Sequence, residues 1–139
     1  MAVPEQYWRF PTREAIDSLS ARFGFRNEPD MQDWEYEVAD ASRLGEFLAT
    51  LEGELTDDER FTLSETVMQC FEELAQDGVD VGASVQWRRF GRLLRARPSL
   101  HAYTLCYWSA LEPVYGEFAV TPLVRPLWTE LEPAAVRAG

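Results

Sequence analysis

A mainly α domain of about six helices with a small two-stranded β-ribbon is what this sequence predicts. Three observations carry that expectation. Apolar residues recur at three- and four-residue spacing through most of the chain, Ser, Thr or Asp stands in front of most of those runs, and one stretch, DWEYEVAD, alternates with period two. With 139 residues, 46% apolar and 13% aromatic, the chain suffices for a single compact domain over 1–139, with 1–10 and 133–139 as loosely ordered ends.

The first helix opens in FPTREAIDSLSARFG, where Thr12 can serve as N-cap and Gly24 as the stop. Ala15, Ile16, Leu19 and Phe23 form its apolar side. In DWEYEVAD, Trp34, Tyr36 and Val38 share one face and Glu35 and Glu37 the other, which reads as a half-buried strand. Asp40 can cap the next helix, ASRLGEFLATLEG, in which Leu44, Phe47, Leu48 and Leu51 follow the i, i+3, i+4, i+7 rule. The long run ELTDDERFTLSETVMQCFEELAQDG starts with a Thr56/Glu59 capping box, and Asp57 and Asp58 lie where the helix dipole favours negative charge. Leu63, Val67, Cys70, Phe71 and Leu74 line one of its faces, and Gly78 ends it.

Ser84 can cap VQWRRFGRLLRAR, whose inner side is Trp87, Phe90, Leu93 and Leu94, with Pro98 closing it. Next comes the uncharged run SLHAYTLCYWSALEP. As a helix it gathers Leu100, Tyr103, Thr104, Tyr107, Trp108 and Leu111 within about 140° and carries no charge on the other side, so it is buried on most sides. A strand is the rival there, because Tyr, Thr and Trp also suit sheets. EFAVT reads as a second strand, pairing Phe118–Val120 with Trp34–Val38 in the ribbon. Thr121 and Pro122 then open a last helix that Pro126 makes short or kinked.

The formal net charge is −11, unevenly placed. From Glu28 to Asp80, 17 acidic residues stand against Arg43 and Arg60, whereas Ala83 to Ala110 holds five arginines and no acid. Every cation in the chain is arginine. Such a balance repels phosphate backbones and argues against nucleic-acid binding. No stretch approaches the roughly 20 apolar residues of a membrane span. The opening MAVPEQYWRFPTREA lacks the layout of a signal peptide, and the separated Cys70 and Cys106 make no disulfide framework. A cytoplasmic protein is the expectation.

A search for catalytic constellations finds little. On a helix His101 has Thr104 and Leu105 as its i+3 and i+4 neighbours, and Cys106 projects away from it, so no nucleophile–base dyad assembles locally. Cys70 lies on an apolar helix face as a small buried thiol. Metal ligation would need converging ligands, and there is no HExxH, second histidine or EF-hand loop. Glu35 and Glu37 would lie about 7 Å apart on a strand, a glycosidase-like separation that any acidic strand face also produces. No cofactor, phosphate-loop or nucleophile-elbow motif occurs.

Charged faces carry more content. Arg88, Arg92 and Arg95 recur at i, i+4, i+7 opposite Trp87, Phe90 and Leu94, a basic face that either pairs with carboxylates of its own chain or meets an acidic partner. A chain polarised in this way also has the means to self-associate. Glu46, Glu54, Asp57, Asp58, Glu65, Glu72 and Glu73 accumulate on the expected solvent sides of two consecutive helices, an acidic face complementary to a basic protein.

Taken together, MQDWEYEVADASRLGEFL, LTDDERFTLSETVMQCFEEL, LHAYTLCYWS and FAVTPLVRPLW resemble small acidic bacterial proteins, some of the kind encoded beside secreted toxins as immunity proteins. The resemblance spans Gln6 to Trp128 and rests on core aromatics and helix caps. It implies an intracellular, mainly helical, toxin-neutralising binder, and it brings no catalytic residues. The expected function is therefore a non-enzymatic interaction module with an acidic helical face for a basic protein partner. The alternative is a small enzyme or ligand-binding protein with a pocket near His101, Tyr103, Tyr107 and Trp108.

Overall fold

The computed structural model describes residues 3–109 and 117–138. In chain order the helices are α1 (Arg13–Phe23), α2 (Trp34–Glu37), α3 (Leu44–Leu51), α4 (Asp57–Gln76), α5 (Val85–Ala96), α6 (Ala102–Trp108) and α7 (Thr121–Ala138). Short 3-10 turns precede α1, α3 and α5 at Glu5–Tyr7, Ala41–Arg43 and Val81–Ala83. The expected caps form. Thr12 Oγ1 accepts from the Ala15 amide at 3.1 Å, and Gly24, at φ 72°, donates to the Ser20 carbonyl at 2.8 Å. Thr56 and Glu59 satisfy each other's amides at 2.8 and 3.1 Å, and Ser84 Oγ accepts from Trp87 at 3.0 Å. Asp40 caps the 3-10 turn that leads into α3. Gly78, at φ 88°, ends α4 in the left-handed conformation that glycine adopts without strain.

The β-ribbon is a correction. Among the described residues there is no strand, and the first expected one is the single helical turn α2. The Asp33 carbonyl accepts from Tyr36 and Glu37, both at 2.9 Å, while the Glu37 carboxylate reaches back to the Asp33 amide at 3.1 Å. Four residues are too few for a period of two to be told from a period of 3.6. The second expected strand offers no free edge, because Phe118, Ala119 and Val120 donate their amides to side chains rather than to a neighbouring backbone. An isolated two-stranded ribbon would be marginal in any case.

Two compact units divide the chain, one of Phe10–Cys70 and the other of Met1–Arg9 with Phe71–Gly139. In Phe10–Cys70 the core is aromatic. Phe23 and Phe25 both pack on Phe47, with centroids 5.1 and 5.7 Å away, and Phe25 meets Trp34 at 5.7 Å. The Arg43 guanidinium caps this cluster, 5.3–5.6 Å from all three phenylalanine rings. Trp34 Nε1 donates to the Arg26 carbonyl at 2.8 Å, which satisfies the polar edge of a buried indole. Arg60, buried in α4, donates to the Leu51 and Gly53 carbonyls, a cation placed where the end of α3 exposes partial negative charge.

In the other unit Phe71 packs against Trp87 edge-on at 5.0 Å and against Phe90 at 5.6 Å. Tyr7 meets the Trp128 ring at 5.3 Å. α6 packs on α7, whose buried Thr121, Val124, Trp128, Leu131 and Ala135 make one continuous stripe. Pro126 does not shorten this helix: α7 runs for 18 residues with Pro126 and Pro133 inside it. Both prolines are exposed, as are Pro122 and Thr129, whose carbonyls lose the amide partners that the prolines cannot supply.

The uncharged run is helical, as expected, over Ala102–Trp108. Its exposed side differs from the expected one. Tyr107 is 36% exposed and Tyr103 half-buried, while Ala102, Leu105, Cys106 and Ser109 are buried. Ala110 and Leu111 lie outside the described residues.

Candidate functional site

Burial splits the seven carboxylates of the expected acidic face. Glu46, Glu54 and Asp57 are exposed, and Asp58 and Glu73 are half-buried. Glu65 and Glu72 are corrections: they are 1% and 4% exposed and face the interior. Phe61, Glu65, Met68 and Glu72 follow the i, i+4, i+7, i+11 pattern, so they share one stripe of α4, and two buried apolar residues carry the two acids inward with them. Every residue from Arg60 to Glu72 except Gln69 is buried. Over that stretch the helix has no solvated acidic side, and its accessible acids lie at its two ends.

Glu72 fastens the entry to α7. Its two carboxylate oxygens accept from the amides of Ala119 at 3.0 Å and Val120 at 2.9 Å, and Gln76 Nε2 adds a third bond at 2.7 Å. These amides lie at the N-terminal end of an 18-residue helix, where the macrodipole favours a negative charge. Residues of α7 in turn cap α6. Thr121 Oγ1 donates to the Trp108 carbonyl at 2.9 Å, and Arg125 Nε donates to the Ser109 carbonyl at 3.0 Å while pairing with Glu117 at 2.8 Å.

Glu65 belongs to a second buried arrangement. Its carboxylate accepts from the Tyr36 hydroxyl at 3.0 Å, and its neighbour Thr66 donates to the Glu35 carbonyl at 2.7 Å, so two bonds clasp α2 to α4. Glu35 is half-buried beside this clasp. Burial, with the nearby charges of Glu65, Asp33 and Glu37, pushes its carboxyl from the ordinary 4.5 up to about 6. Sequence spacing pointed to Glu35 with Glu37 as the carboxylate pair, whereas the fold sets Glu35 against Glu65, 30 positions along the chain. The signal for this was Phe61 and Met68, which mark the Glu65 side of α4 as interior.

Charge is concentrated in Phe10–Cys70. That unit holds 15 acidic residues against five arginines, ten of the eleven net negative charges of the chain. Four of its five arginines are occupied, since Arg13 pairs with Asp17, Arg26 with Glu28 and Arg43 with Glu46, and Arg60 is buried; Arg22 is exposed. The Arg43–Glu46 pair is two-pronged, at 2.9 and 3.0 Å, and holds the Glu46 carboxyl below its usual range. Glu46 is thus compensated within its own chain, whereas Glu54 is exposed with no ion-pair partner among the described residues.

On α5, Arg88, Arg92 and Arg95 are all exposed on one side, as expected. Arg95 is taken up by Glu130 through bonds of 2.8 and 3.3 Å. The four residues of the alternative pocket do not share one surface. His101 is 1% exposed, immediately before α6, and Trp108 is 2% exposed, packed on Phe118 with centroids 4.5 Å apart. Tyr103 and Tyr107 stack at 6.0 Å with ring planes 12° apart. Cys70 and Cys106 are buried thiols, and burial pushes the pKa of Cys106 up. Among the described residues, no helix is long and apolar enough to cross a membrane. No family model, curated protein or solved structure matches the chain.

Proposed function

We propose that this protein is a non-enzymatic, cytoplasmic interaction module of the toxin-neutralising kind, in which exposed carboxylates of Phe10–Cys70 dock a basic protein partner. The observation that carries this reading is the surplus of acid in that unit: ten net negative charges remain after every arginine in it is counted. A surface of one sign accelerates encounter with a partner of the other and discriminates among partners. Glu54, Asp57 and Asp58, at the entry to α4, are the central residues of the docking surface. Glu65 and Glu72 leave the contact set because their carboxylates are spent on the fold, and Glu46 contributes less because Arg43 compensates it.

The test is capture of a basic protein from native lysate, followed by titration of that protein against wild type and a Glu54→Gln, Asp57→Asn, Asp58→Asn triple variant. Neutralising three rim charges weakens binding by about 10-fold or more, mainly through the association rate, with the melting curve little changed. Unaltered affinity in a folded triple variant contradicts the reading.

A further inference from the structure

Arg88 and Arg92 stand one turn apart on the exposed side of α5, and neither has a partner among the described residues. Val85, 62% exposed one turn earlier, extends the same side. In a chain with 24 acidic residues and 13 arginines, two adjacent guanidinium groups without carboxylates run against composition. Their neighbour Arg95, by contrast, has found Glu130. We propose that this face of α5 docks on the carboxylate-rich surface of Phe10–Cys70 in a second copy of the chain.

Charge complementarity selects that occupant. The acidic unit keeps ten charges in excess with all five of its arginines counted, and α5 carries four arginines and no acid. The contact joins two different faces. A dimer therefore keeps one unused face of each kind, one on each copy, and assembly continues past a dimer unless the rotation closes a ring. Salt acts in two opposite ways. At about 0.01 M, where the Debye length is about 30 Å, the −11 charge of each whole copy repels the other; at about 0.1 M that repulsion is screened to about 10 Å while the contact pairs persist; at about 1 M the pairs are lost too. Association therefore passes through a maximum in salt concentration.

Sedimentation equilibrium of the full chain tests this directly. Exposed pairs are individually weak, so wild type at about 1 mM protein reaches an average mass about 1.5-fold above its 16.0 kDa monomer at the intermediate salt, and falls back at both extremes. Arg88→Glu with Arg92→Glu stays monomeric, and so does Glu54→Arg with Asp57→Arg. Mixing the two variants restores association, because each supplies the face that the other has lost. Monomeric wild type at the intermediate salt, or association of the Arg88/Arg92 variant equal to wild type, overturns the proposal. The partner reading is separable from this one, since the Arg88/Arg92 variant keeps Glu54, Asp57 and Asp58 and binds a basic partner whether or not the chain self-associates.

Discussion

At Glu72 a charged side chain sits in the interior because the chain brings donors to it: two backbone amides from residues 119 and 120 and the amide of Gln76. A buried carboxylate so satisfied is tolerated, and removing it strands two amides at the mouth of α7. Glu72→Ala therefore lowers unfolding free energy by about 2–4 kcal/mol, read as a shift of the urea midpoint. Glu73→Ala, half-buried on the next position, costs under about 1 kcal/mol. Equal effects at the two positions would show that Glu72 does not lock α7. The identity of Glu72 alone could not disclose this role, because its donors lie 47 and 48 positions away. Its burial was legible, however, from Met68 four residues earlier on the same stripe.

Among the elements, α2 carries a carboxyl whose pKa burial raises. The clasp consists of Thr66 to the Glu35 carbonyl and Tyr36 to Glu65, with the Glu35 carboxyl raised to about 6 beside Glu65, Asp33 and Glu37. A carboxyl that binds its proton more tightly when folded gives its full stabilisation below pH 4.5, and that stabilisation is lost as pH rises through about 6. Glu35→Gln removes this dependence. Amides of α2 then exchange more slowly than in wild type at about pH 7.5, and at nearly the same rate once wild-type Glu35 is protonated. An unchanged pH difference in the variant would assign the titration to another group. Helix starts were readable from sequence because a cap is a local device: Thr12, Thr56 and Ser84 each act within three residues. The helical turn of Trp34–Glu37 was not, since its alternation fits both periods over so short a span. Of the two outcomes expected of Pro126, a short helix is excluded, because α7 continues through it for 18 residues.

For the whole molecule, the decisive property is where charge resides after internal pairing. Net charge and its bias toward residues 28–80 were visible in the sequence; the unit boundary at Cys70 leaves Glu72, Glu73, Asp77 and Asp80 outside the acidic unit. Which acids remain available follows from burial and pairing, since Glu65 and Glu72 turn inward with the Phe61–Met68 stripe and Arg43, three positions away, takes Glu46. The account's central claim is that recognition belongs to the exposed carboxylates and architecture to the buried ones. Titrating the captured basic partner against the Glu54/Asp57/Asp58 triple variant and against Glu72→Gln, with a melting curve for each, tests it most directly. The account predicts that the triple variant loses about 10-fold or more in affinity with its melting curve little changed, while Glu72→Gln melts earlier and binds normally when folded. Normal binding by the triple variant, or loss of binding by folded Glu72→Gln, would contradict it.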